Sequence, residues 1–434
     1  MSAIATVLAA MGHQVTGSDL KWSPAMERLR AAGARLWVGH EAGQVGEAEV
    51  LAISSAVTES NPEVAEGRRR GLPVLSRAEM LAAVCELRRC IAVSGTHGKT
   101  TTTSMLSLVL VEAGMRPSFL IGGDVNEIGT NAVWDGGEWM VVEADESDGT
   151  FLQLRPEIAV VTNVEADHLD HYGSFEALVA AFDRFCTGPA AVVAGADDRW
   201  AAEVGARHGA VLVGAAAGAA YRLQDVVPAA PGVSFSLHHE GRDLGRLALP
   251  VSGGRIAQNA AVATVAAMAA GAPFEAAAGA LARFAGVARR YEPRGEAAGV
   301  RFVDDYAHLP TEVRAVLESA VAEGRRLVVV FQPHRYSRTA ALGEQFADAF
   351  AGASVVVVTD VFAAGEAPMP GVTGRLVADA VGRAHPELDV RYVAGREELR
   401  REVAAILRPG DLCLTLGAGD LTTLPDELMA APAW

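Results

Sequence analysis

The stretch that decides the fold is CIAVSGTHGKTTTTSMLSLVLVEAG, residues 90–114. Its apolar opening is typical of a buried strand, a glycine-containing loop follows, and the remainder has the composition of a helix. Glycines let a loop turn its backbone N–H groups toward phosphate oxygens, and the helix N-terminus adds its dipole. Lys99 would place a cation on the β- and γ-phosphates, and Thr100 would bind Mg²⁺ through its hydroxyl. The order of strand, loop, GKT and helix therefore predicts a site for a nucleoside triphosphate.

The spacing of this loop is shorter than the common GxxxxGK[ST] pattern by two or three residues. A glycine turn followed by a surface lysine is the alternative interpretation. The strand before the loop and the helix directly after GKT favour the phosphate loop.

Short β-rich apolar runs alternate with helical stretches on both sides of this loop, which is the signature of parallel α/β sheets. Three segments are predicted, 1–88, 89–287 and 288–434. The first opens on a helix without a strand before it, the second holds the phosphate loop, and the third begins near the turn RRYEPRG (289–295). An antiparallel patch is expected around 233–251. We therefore predict an α/β protein with three domains.

The composition limits what the chain can bind. A net charge of −16 makes a nucleic acid or an anionic membrane an unsuitable partner. The four cysteines lack metal-like CxxC spacing and are interpreted as reduced core thiols. No apolar run reaches the length of a membrane span, and the opening residues lack the basic start and cleavage site of a signal peptide. We expect a cytoplasmic location and no membrane insertion.

Two acidic clusters follow predicted strands downstream of the phosphate loop. Residues 143–148 read EADESD, and residues 165–171 read EADHLDH. Phosphoryl transfer to a carboxylate brings anions together, so a metal ion and a lysine must neutralise the triphosphate. A solvated acidic loop is the alternative for either cluster alone. The presence of both clusters at strand ends favours a nucleotide–metal site.

Polar groups of the third segment also fall just past predicted strands, where open α/β sheets bind ligands. Arg289 and Arg290 can reach a γ-phosphate on domain closure, although a solvated hinge pair is an equally good interpretation. His308 precedes a predicted helix, whose N-terminus favours a neutral imidazole. Arg335 and Arg338 follow the strand LVVVF and can bind a carboxylate or phosphate. Their shared location favours a substrate site over purely structural roles.

Taken together, these motifs resemble the Mur ligase family. The match covers nearly the whole chain in the family's order, and EADESD with DDYAH is specific to the branch that adds the first amino acid, L-alanine. Relatives that add later amino acids carry a carbamylated lysine after the DH motif, and HYGSFEALVAAFDRF (171–185) contains no lysine. The matching motifs are TGSDL (16–20), ISSAV (53–57), GTHGKTTTTS (95–104), VEADESDGTFL (142–152), TNVEADHLDHY (162–172), FAGVARRYE (284–292), DDYAHLPTE (304–312), FQPHRYSR (331–338), DVFAAGE (360–366), PGVTG (370–374) and GAGD (417–420).

The resemblance implies a truncated Rossmann-like domain for a UDP-sugar, a central P-loop ATPase domain with a mostly parallel sheet, and a Rossmann-like C-terminal domain. It also implies ATP and Mg²⁺ or Mn²⁺, with Thr100 and Glu143 binding one divalent ion and His168 a second. The expected nucleotide-binding residues are Gly95, Thr96, His97, Gly98, Lys99, Thr100, Thr101, Asn259 (at the adenine) and Asp305. The expected catalytic residues are Lys99, His168, Arg289, Arg290 and His308. The expected substrate-binding residues are Ser18, Asp19, Ser54, Ser55, Asn131, Tyr306, His308, Arg335 and Arg338.

The sequence departs from the family pattern at three points. The family begins with a strand and a GxGGxGMSGIA loop, and this sequence starts at the methionine of that loop. We expect a truncated or misassigned start and weakened UDP-sugar binding. Gly254-Arg255-Ile256 replaces the family's GRHN before the adenine asparagine, and Leu309 replaces a second histidine. These two replacements are expected to alter contacts without removing the chemistry.

The implied reaction joins L-alanine to the carboxylate of UDP-N-acetylmuramate through an acyl phosphate, in peptidoglycan precursor synthesis. UDP-N-acetylmuramate and L-alanine are then the partners, and a monomer or weak homodimer is expected. The alternatives are a ligase that reattaches recycled murein tripeptide, a P-loop switch or binding module, and a catalytically weakened paralogue. The switch lacks an NKxD-type guanine signal and leaves the polar strand ends of the third segment unexplained.

Overall fold

The computed structural model describes residues 1–54, 56–125, 128–228, 232–251 and 255–430. Strands and helices alternate over much of the chain, and the predicted α/β class is confirmed.

The first 88 residues form two small parallel sheets rather than one. The strands are β1 (Thr16–Asp19), β2 (Arg35–Val38), β3 (Leu51–Ile53) and β4 (Val74–Ser76), and the helices are α1 (Ser2–Ala10), α2 (Pro24–Ala31), α3 (Pro62–Arg69) and α4 (Arg77–Cys85). Strand β1 pairs with β2, and β3 pairs with β4. The sequence predicted a single helix after the third strand. The structure has α3, β4 and α4 there, because Ser76 forms a capping box with Glu79 and starts a new helix.

A ten-stranded sheet organises the central part of the chain. Its strands are β5 (Arg89–Ser94), β6 (Ser118–Val125), β7 (Thr130–Val133), β8 (Trp139–Glu143), β9 (Ile158–Val161), β10 (Ala191–Gly195), β11 (Val211–Gly214), β12 (Tyr221–Pro228), β13 (Val233–His239) and β14 (Arg242–Leu249). The helices are α5 (Lys99–Glu112), α6 (Leu169–Tyr172), α7 (Phe175–Phe185), α8 (Arg199–Arg207), α9 (Ile256–Ala269) and α10 (Phe274–Leu281).

The strand order of this sheet is β14-β13-β12-β11-β10-β9-β5-β8-β6-β7. Strands β6, β8, β5, β9, β10, β11 and β12 run parallel, and β7 is antiparallel to β6. Strand β5 lies in the middle, and its Ile91, Ala92 and Val93 are fully buried. Continuous apolar runs of this kind are expected for parallel strands covered on both faces. The carboxyl ends of β5, β8 and β9 therefore meet at one edge of the sheet.

A six-stranded sheet forms the third part. Its strands are β15 (Glu292–Ala297), β16 (Val300–Asp305), β17 (Leu327–Phe331), β18 (Val355–Val358), β19 (Asp389–Tyr392) and β20 (Leu412–Leu416). The helices are α11 (Pro310–Val321), α12 (Tyr336–Leu342), α13 (Arg375–Ala384), α14 (Arg396–Ile406) and α15 (Leu424–Ala430). The order is β15-β16-β20-β17-β18-β19, and only β15 is antiparallel to its neighbour among these described pairs.

The predicted turn RRYEPRG is only partly a turn. Its second half begins β15, which pairs antiparallel with β16 around a register shift between Pro293 and Gly295. A bulge tolerates proline and glycine in an edge strand, and this explains why the turn-forming residues misled the prediction.

The described residues divide into two compact units. The first comprises Met1–Val227, Ser234–Leu249 and Ala257–Phe284, and the second comprises Pro228–Val233, Pro250–Ile256 and Ala285–Trp434. Within the described part of the chain, no helix combines the length and apolar character needed to cross a membrane.

Candidate active site

The phosphate loop uses backbone conformations that glycine adopts readily. Gly98 has φ 79° and caps the N-terminus of α5, and Gly95 has φ 135°. A Cβ atom on Gly95 would lie 2.1 Å from Thr162 Oγ1. The loop therefore passes directly against the end of β9, with no room for a side chain.

The residues after β9 hold the loop through buried hydrogen bonds. The His97 backbone N–H donates to Asn163 Oδ1 over 2.8 Å, and the Asn163 amide donates back to the His97 carbonyl over 2.8 Å. Thr162 Oγ1 donates to the same carbonyl over 2.7 Å. On the other side of the loop, the Glu165 N–H donates to Thr96 Oγ1 over 2.8 Å. Thr162 and Asn163 were not predicted as site residues, although their position after a strand beside β5 was an available signal.

Lys99 is the first residue of α5, and its ammonium group is drawn back onto the loop. It donates to the carbonyls of Gly95 and Thr96 over 2.7 and 3.3 Å, and to Glu146 Oε1 over 2.8 Å. Burial opposes the charge of this lysine, but the nearby carboxylates, led by Glu146, raise its pKa above the ordinary value. Lys99 is therefore a fixed cation at the start of the helix.

Glu146 is a site residue that was not predicted individually, although it lies in the EADESD motif. Its side chain is only 1% exposed and forms the ion pair with Lys99. Burial raises the pKa of Glu146 to about 7, against the opposing effect of Lys99. Its backbone carbonyl accepts a hydrogen bond from the Tyr172 hydroxyl. The side chain is thus held at the carboxyl end of β8, facing the phosphate loop.

Thr100 and Glu143 form the first pair of oxygen donors suited to a divalent ion. Thr100 Oγ1 donates to Glu143 Oε1 over 3.0 Å, and the Gly122 N–H donates to Glu143 Oε2 over 2.7 Å. A hydroxyl and a carboxylate at the start of a phosphate-loop helix are hard oxygen ligands, so the donor set fits Mg²⁺.

His168 is positioned by an unusual backbone conformation. It has φ 54° and directly precedes α6. Its Nε2 lies 3.2 Å from Asp167 Oδ2 and 3.8 Å from Glu146 Oε1. Across the described ranges, no preformed group of three His, Cys, Asp or Glu side chains has metal-site geometry. An ion at this position would therefore complete its coordination with phosphate oxygens or water.

Asn259 and Thr101 lie beside the same loop. Asn259 is buried on α9, and its carboxamide atoms lie 2.7 and 2.9 Å from the position that a Cβ on Gly98 would occupy. Thr101 is buried in the first turn of α5. The first unit therefore brings together the predicted loop residues with Asn259, Glu143 and His168.

Ser18 and Asp19 end β1, at the carboxyl edge of its two-stranded sheet. Ser18 Oγ lies 2.9 Å from His40 Nδ1 and donates to Glu63 Oε1 over 2.7 Å. Asp19 Oδ1 accepts from the Lys21 N–H over 3.4 Å. His40 and Glu63 were not predicted, and nothing in their local sequence distinguishes them.

The other predicted substrate residues of the first unit are Asn131, Ser54 and Ser55. Asn131 lies on β7, and its amide donates to the Ile121 carbonyl over 3.3 Å. This bond ties Asn131 to the pairing of β6 with β7. The Ser54 carbonyl accepts from the Val57 N–H over 3.1 Å, just after β3. Ser55 lies outside the described residues.

In the second unit, the two predicted arginines have different environments. Arg289 has φ 60°, its Nη2 donates to the carbonyls of Gly417 and Gly419, and its Nε lies 3.5 Å from Asp304 Oδ2. Arg290 lies with its guanidinium carbon 5.1 Å from the centre of the Tyr306 ring. The Arg289 guanidinium carbon lies 4.9 Å from the centre of the same ring, so the ring contact is common to both arginines. The difference is that Arg289 is hydrogen-bonded within its own unit, whereas Arg290 has no side-chain hydrogen bond among the described residues.

Asp305 organises the loop after β16. Its Oδ1 accepts from the Ala307 N–H and its Oδ2 from the Tyr291 N–H, both over 2.7 Å. Burial raises the pKa of Asp305 to about 6, although Arg290 and the two backbone N–H groups oppose this shift. The carboxyl was predicted to face the nucleotide, and the structure shows that both its oxygens hold this loop.

His308 lies directly before α11. Its Nδ1 is 3.1 Å from the Tyr306 carbonyl and 3.4 Å from Glu312 Oε2, and its ring meets the Tyr306 ring edge-on. Leu309 is buried at 4% exposure, so the residue that replaces the family histidine packs in the interior.

Arg335 and Arg338 flank the start of α12, after β17. The Arg335 N–H donates to the Phe362 carbonyl over 2.8 Å, and Arg335 has φ 68°. Arg338 Nη1 donates to His334 Nδ1 over 3.1 Å. Burial, reinforced by the charges of His308 and Arg338, lowers the pKa of His334 to about 3. The neutral ring therefore orients Arg338. His334 lies in the motif FQPHRYSR but was not predicted as a site residue.

Three family models match this chain in order. They are the Mur ligase family catalytic domain over residues 1–89, the Mur ligase middle domain over 93–267, and the Mur ligase glutamate ligase domain over 289–419. The chain belongs to the Mur ligase family.

Two sequence relatives are both named UDP-N-acetylmuramate--L-alanine ligase. UDP-N-acetylmuramate--L-alanine ligase of Rubrobacter xylanophilus is 46% identical over 441 aligned positions, which cover 99% of this chain and 97% of that protein. The protein of the same name from Kineococcus radiotolerans is 47% identical, with 99% and 93% covered.

Solved structures agree with these sequence relatives. The UDP-N-acetylmuramate-alanine ligase of Thermotoga maritima superposes with a TM-score of 0.83 at 27% identity, covering 99% of this chain and 96% of that one. A murein peptide ligase of Psychrobacter arcticus has a TM-score of 0.70 at 23% identity, covering 99% and 96%, and shares the fold.

Proposed function

We propose that the protein is an ATP-dependent ligase that joins L-alanine to the carboxylate of UDP-N-acetylmuramate, in the synthesis of peptidoglycan precursors. The observation that carries this proposal is the cluster around α5. There the Lys99 ammonium, the Thr100–Glu143 pair and the phosphate loop converge at the carboxyl ends of β5 and β8. The full-length relatives named UDP-N-acetylmuramate--L-alanine ligase support the choice of substrates.

The reaction proceeds in two transfers. A carboxylate oxygen of the muramoyl group attacks the γ-phosphorus of ATP, and the bond from that phosphorus to the β-bridging oxygen breaks to release ADP. The amine nitrogen of alanine then attacks the acyl carbon, inorganic phosphate leaves with the former carboxylate oxygen, and the nitrogen loses a proton. Lys99 binds the β- and γ-phosphates and stabilises the charge that moves to ADP.

The residues proposed to hold divalent ions are Thr100 and Glu143 for one and His168 for a second. Bound there, Mg²⁺ or Mn²⁺ would neutralise the triphosphate. Asn259 is proposed to lie at the adenine. Asp305 is proposed to lie near the nucleotide, in the loop after β16 that its carboxyl oxygens hold by hydrogen bonds.

The proposed substrate residues and domains follow the sequence motifs. Three functional domains are proposed at 1–88, 89–287 and 288–434. The proposed assembly is a monomer or a weak homodimer, and sedimentation velocity would measure it. The muramoyl carboxylate and alanine are assigned to Tyr306, His308, Arg335 and Arg338, and the UDP-sugar to Ser18, Asp19, Ser54, Ser55 and Asn131.

The test is ADP release with each substrate omitted in turn. ADP formation is expected only when ATP, UDP-N-acetylmuramate and L-alanine are all present, with murein tripeptide unable to replace alanine. Equal ADP release without the sugar nucleotide would contradict the ligase and favour a nucleotide switch, and a preference for tripeptide would favour the recycling reaction.

The chain offers a matched pair of lysine variants, because Lys21 and Lys99 are its only lysines. Lys99→Ala is expected to lower the rate of ADP formation by at least about a hundredfold, as removal of a transition-state donor commonly does. Lys21 is exposed, and Lys21→Ala is expected to leave ATP affinity unchanged.

A further inference from the structure

The start of α12, in the second unit, has no cap from its own residues. Arg335 directly precedes the helix with φ 68°, and its side chain makes no capping hydrogen bond. The helix spans only the seven residues Tyr336–Leu342, and a helix of this length has little stability in isolation. Its first N–H groups have no acceptor within the helix. The position of this helix start therefore depends on a partner from another element.

Glu366 is that partner. Its Oε2 accepts from the Ser337 N–H over 3.0 Å, and its Oε1 accepts from the Ser337 hydroxyl over 2.6 Å. Burial opposes the charge of this carboxylate, but hydrogen bonds from Ser337 and Tyr336, together with the charge of Arg335, lower its pKa below the ordinary value. Glu366 is therefore ionised at neutral pH and places a negative charge at the positive end of the helix dipole.

The loop that carries Glu366 is itself fastened to the residues before α12. This loop follows β18 and comprises residues 360–374. The Phe362 N–H donates to the Pro333 carbonyl over 2.9 Å, and the Arg335 N–H donates to the Phe362 carbonyl over 2.8 Å. Glu366 therefore meets the helix from a support that is paired with the chain at the same point.

Two cationic side chains depend on this helix start. Arg335 is exposed, and its guanidinium has no hydrogen bond or ion pair within the part of the chain that the structure describes. Arg338 lies in the first turn, and its Nη1 donates to His334 Nδ1 over 3.1 Å. Both guanidinium groups are presented from the segment that Glu366 holds, so a shift of the helix start would move both of them.

We propose that Glu366 is a positioning residue for amino-acid binding, which by capping α12 sets where Arg335 and Arg338 meet the carboxylate of the incoming alanine. The inference rests on the proposed function, in which these arginines bind substrate. The alanine carboxylate keeps its charge through both transfers, so its cationic partners must be in place before the amine attacks. Glu366 acts through the helix and does not touch the substrate.

The alternative is a direct contact, because a carboxylate can also bind the ammonium group of an amino acid. Glu366→Gln separates the two roles: its amide oxygen still accepts from the Ser337 N–H, but the side chain carries no charge. Glu366→Ala removes both the cap and the charge. Glu344→Ala is the matched control, since it deletes an exposed glutamate just after α12 whose carboxylate pairs with Arg383.

The experiment is steady-state kinetics of amide formation, with each of the three substrates varied in turn. Glu366→Ala is expected to raise the KM for L-alanine at least about tenfold, because a small misplacement of binding groups is costly, and to leave the KM for ATP unchanged. Glu366→Gln should stay within about threefold of the wild type, since a neutral oxygen also caps a helix. Glu344→Ala should match the wild type.

Hydrogen–deuterium exchange tests the physical cause without relying on catalysis. The amides of α12 should exchange at least about fivefold faster in Glu366→Ala than in the wild type, as expected for the loss of a helix cap. The strands of the same unit should keep their protection, which also verifies that the variant is folded. Glu366→Gln should protect α12 nearly as well as the wild type.

Two results would overturn the inference. An unchanged KM for L-alanine in Glu366→Ala would show that the arginines are placed without this cap. A Glu366→Gln variant as impaired as Glu366→Ala would show that the charge acts on the substrate directly. Failure of the proposed function is distinct, because it appears as a wild-type protein that forms no amide from L-alanine, and the exchange of α12 then decides by itself whether Glu366 holds the helix.

Discussion

At the scale of single residues, the adjacent arginines Arg289 and Arg290, between α10 and β15, show how two identical side chains acquire different roles. Arg289 donates to two backbone carbonyls, at Gly417 and Gly419, and pairs with the buried Asp304. Both guanidinium groups lie over the Tyr306 ring, but Arg290 has no side-chain hydrogen bond or ion pair among the described residues. We therefore propose Arg290, rather than Arg289, for the γ-phosphate contact, since Arg289 would have to break its internal hydrogen bonds first.

The two alanine variants are expected to separate these roles. Arg290→Ala should lower kcat by about a hundredfold to a thousandfold with little change in unfolding temperature, because it removes charge stabilisation in the transition state. Arg289→Ala should cost about 1–3 kcal/mol of stability, since it leaves buried acceptors without a donor. Steady-state kinetics and urea unfolding measure the two effects. An Arg290→Ala enzyme with normal kcat would refute the assignment.

Asp305 gives a prediction for the pH dependence of stability. The pKa of its carboxyl is about 6 in the folded protein, compared with 3.8 for an unperturbed group. The stabilisation from this group is complete below pH 3.8 and is lost as the pH rises toward 6, because only the unfolded chain ionises freely in that window. The loss amounts to at most about 3 kcal/mol.

Asp305→Asn is expected to remove this dependence. Between pH 4 and pH 6.5, the free energy of unfolding of the second unit should fall more steeply in the wild type than in the variant. Urea titrations followed by a probe in that unit would measure the two slopes. Equal slopes would show that the native carboxyl titrates normally.

At the scale of elements, the strand-loop-helix of β5 and α5 is fixed by its contact with the end of β9. Gly95 has no space for a side chain beside Thr162, whereas Gly12, which also has positive φ, faces open space. Both glycines therefore adopt a positive φ, but only Gly95 is packed too closely to accept a side chain.

Alanine at these two positions is expected to give different phenotypes. Gly12→Ala should cost only the backbone strain, about 1–2 kcal/mol, with unchanged ATP affinity. Gly95→Ala must displace the loop and should weaken ATP binding at least about tenfold. Calorimetric titration with ATP compares them, and equal ATP affinity in both variants would show that the loop tolerates the shift.

The sequence was informative where the signal is local. The order of β5, loop and α5 is encoded in contiguous residues, and the apolar runs identified β5, β8, β9 and β10 of the central sheet and β16 to β20 of the third sheet. The pairing of β6 with β7 and the strand β15 escaped prediction, because glycine and proline at a sheet edge look like loops until their partners are known. The sequence also did not predict that the strands of the first 88 residues pair as two small sheets.

Side-chain roles that depend on tertiary contacts were also missed. Glu146 and His334 lie in recognised motifs, but their ion pair and hydrogen bond involve residues 47 and 4 positions away. The hydrogen bonds from Thr162 and Asn163 to the loop span more than sixty positions. Composition and spacing cannot reveal such partners, whereas the carboxyl ends of parallel strands correctly located the region.

At the scale of the whole molecule, each compact unit carries its own part of the proposed chemistry. The first holds the phosphate loop, Lys99 and the candidate ion ligands, and the second holds Arg290, His308 and the arginines of α12. A ligase of this kind must protect its acyl phosphate from water while alanine attacks, and domain closure is the usual means.

The central claim is that a muramoyl carboxylate oxygen is transferred to phosphate. UDP-N-acetylmuramate labelled with ¹⁸O in its carboxylate tests this directly, by mass spectrometry of the inorganic phosphate released during L-alanine ligation. With a fully labelled carboxylate, we predict one ¹⁸O atom in each phosphate and one retained in each amide product. Phosphate free of the label, at normal yield of amide, would contradict an acyl phosphate and the function built on it.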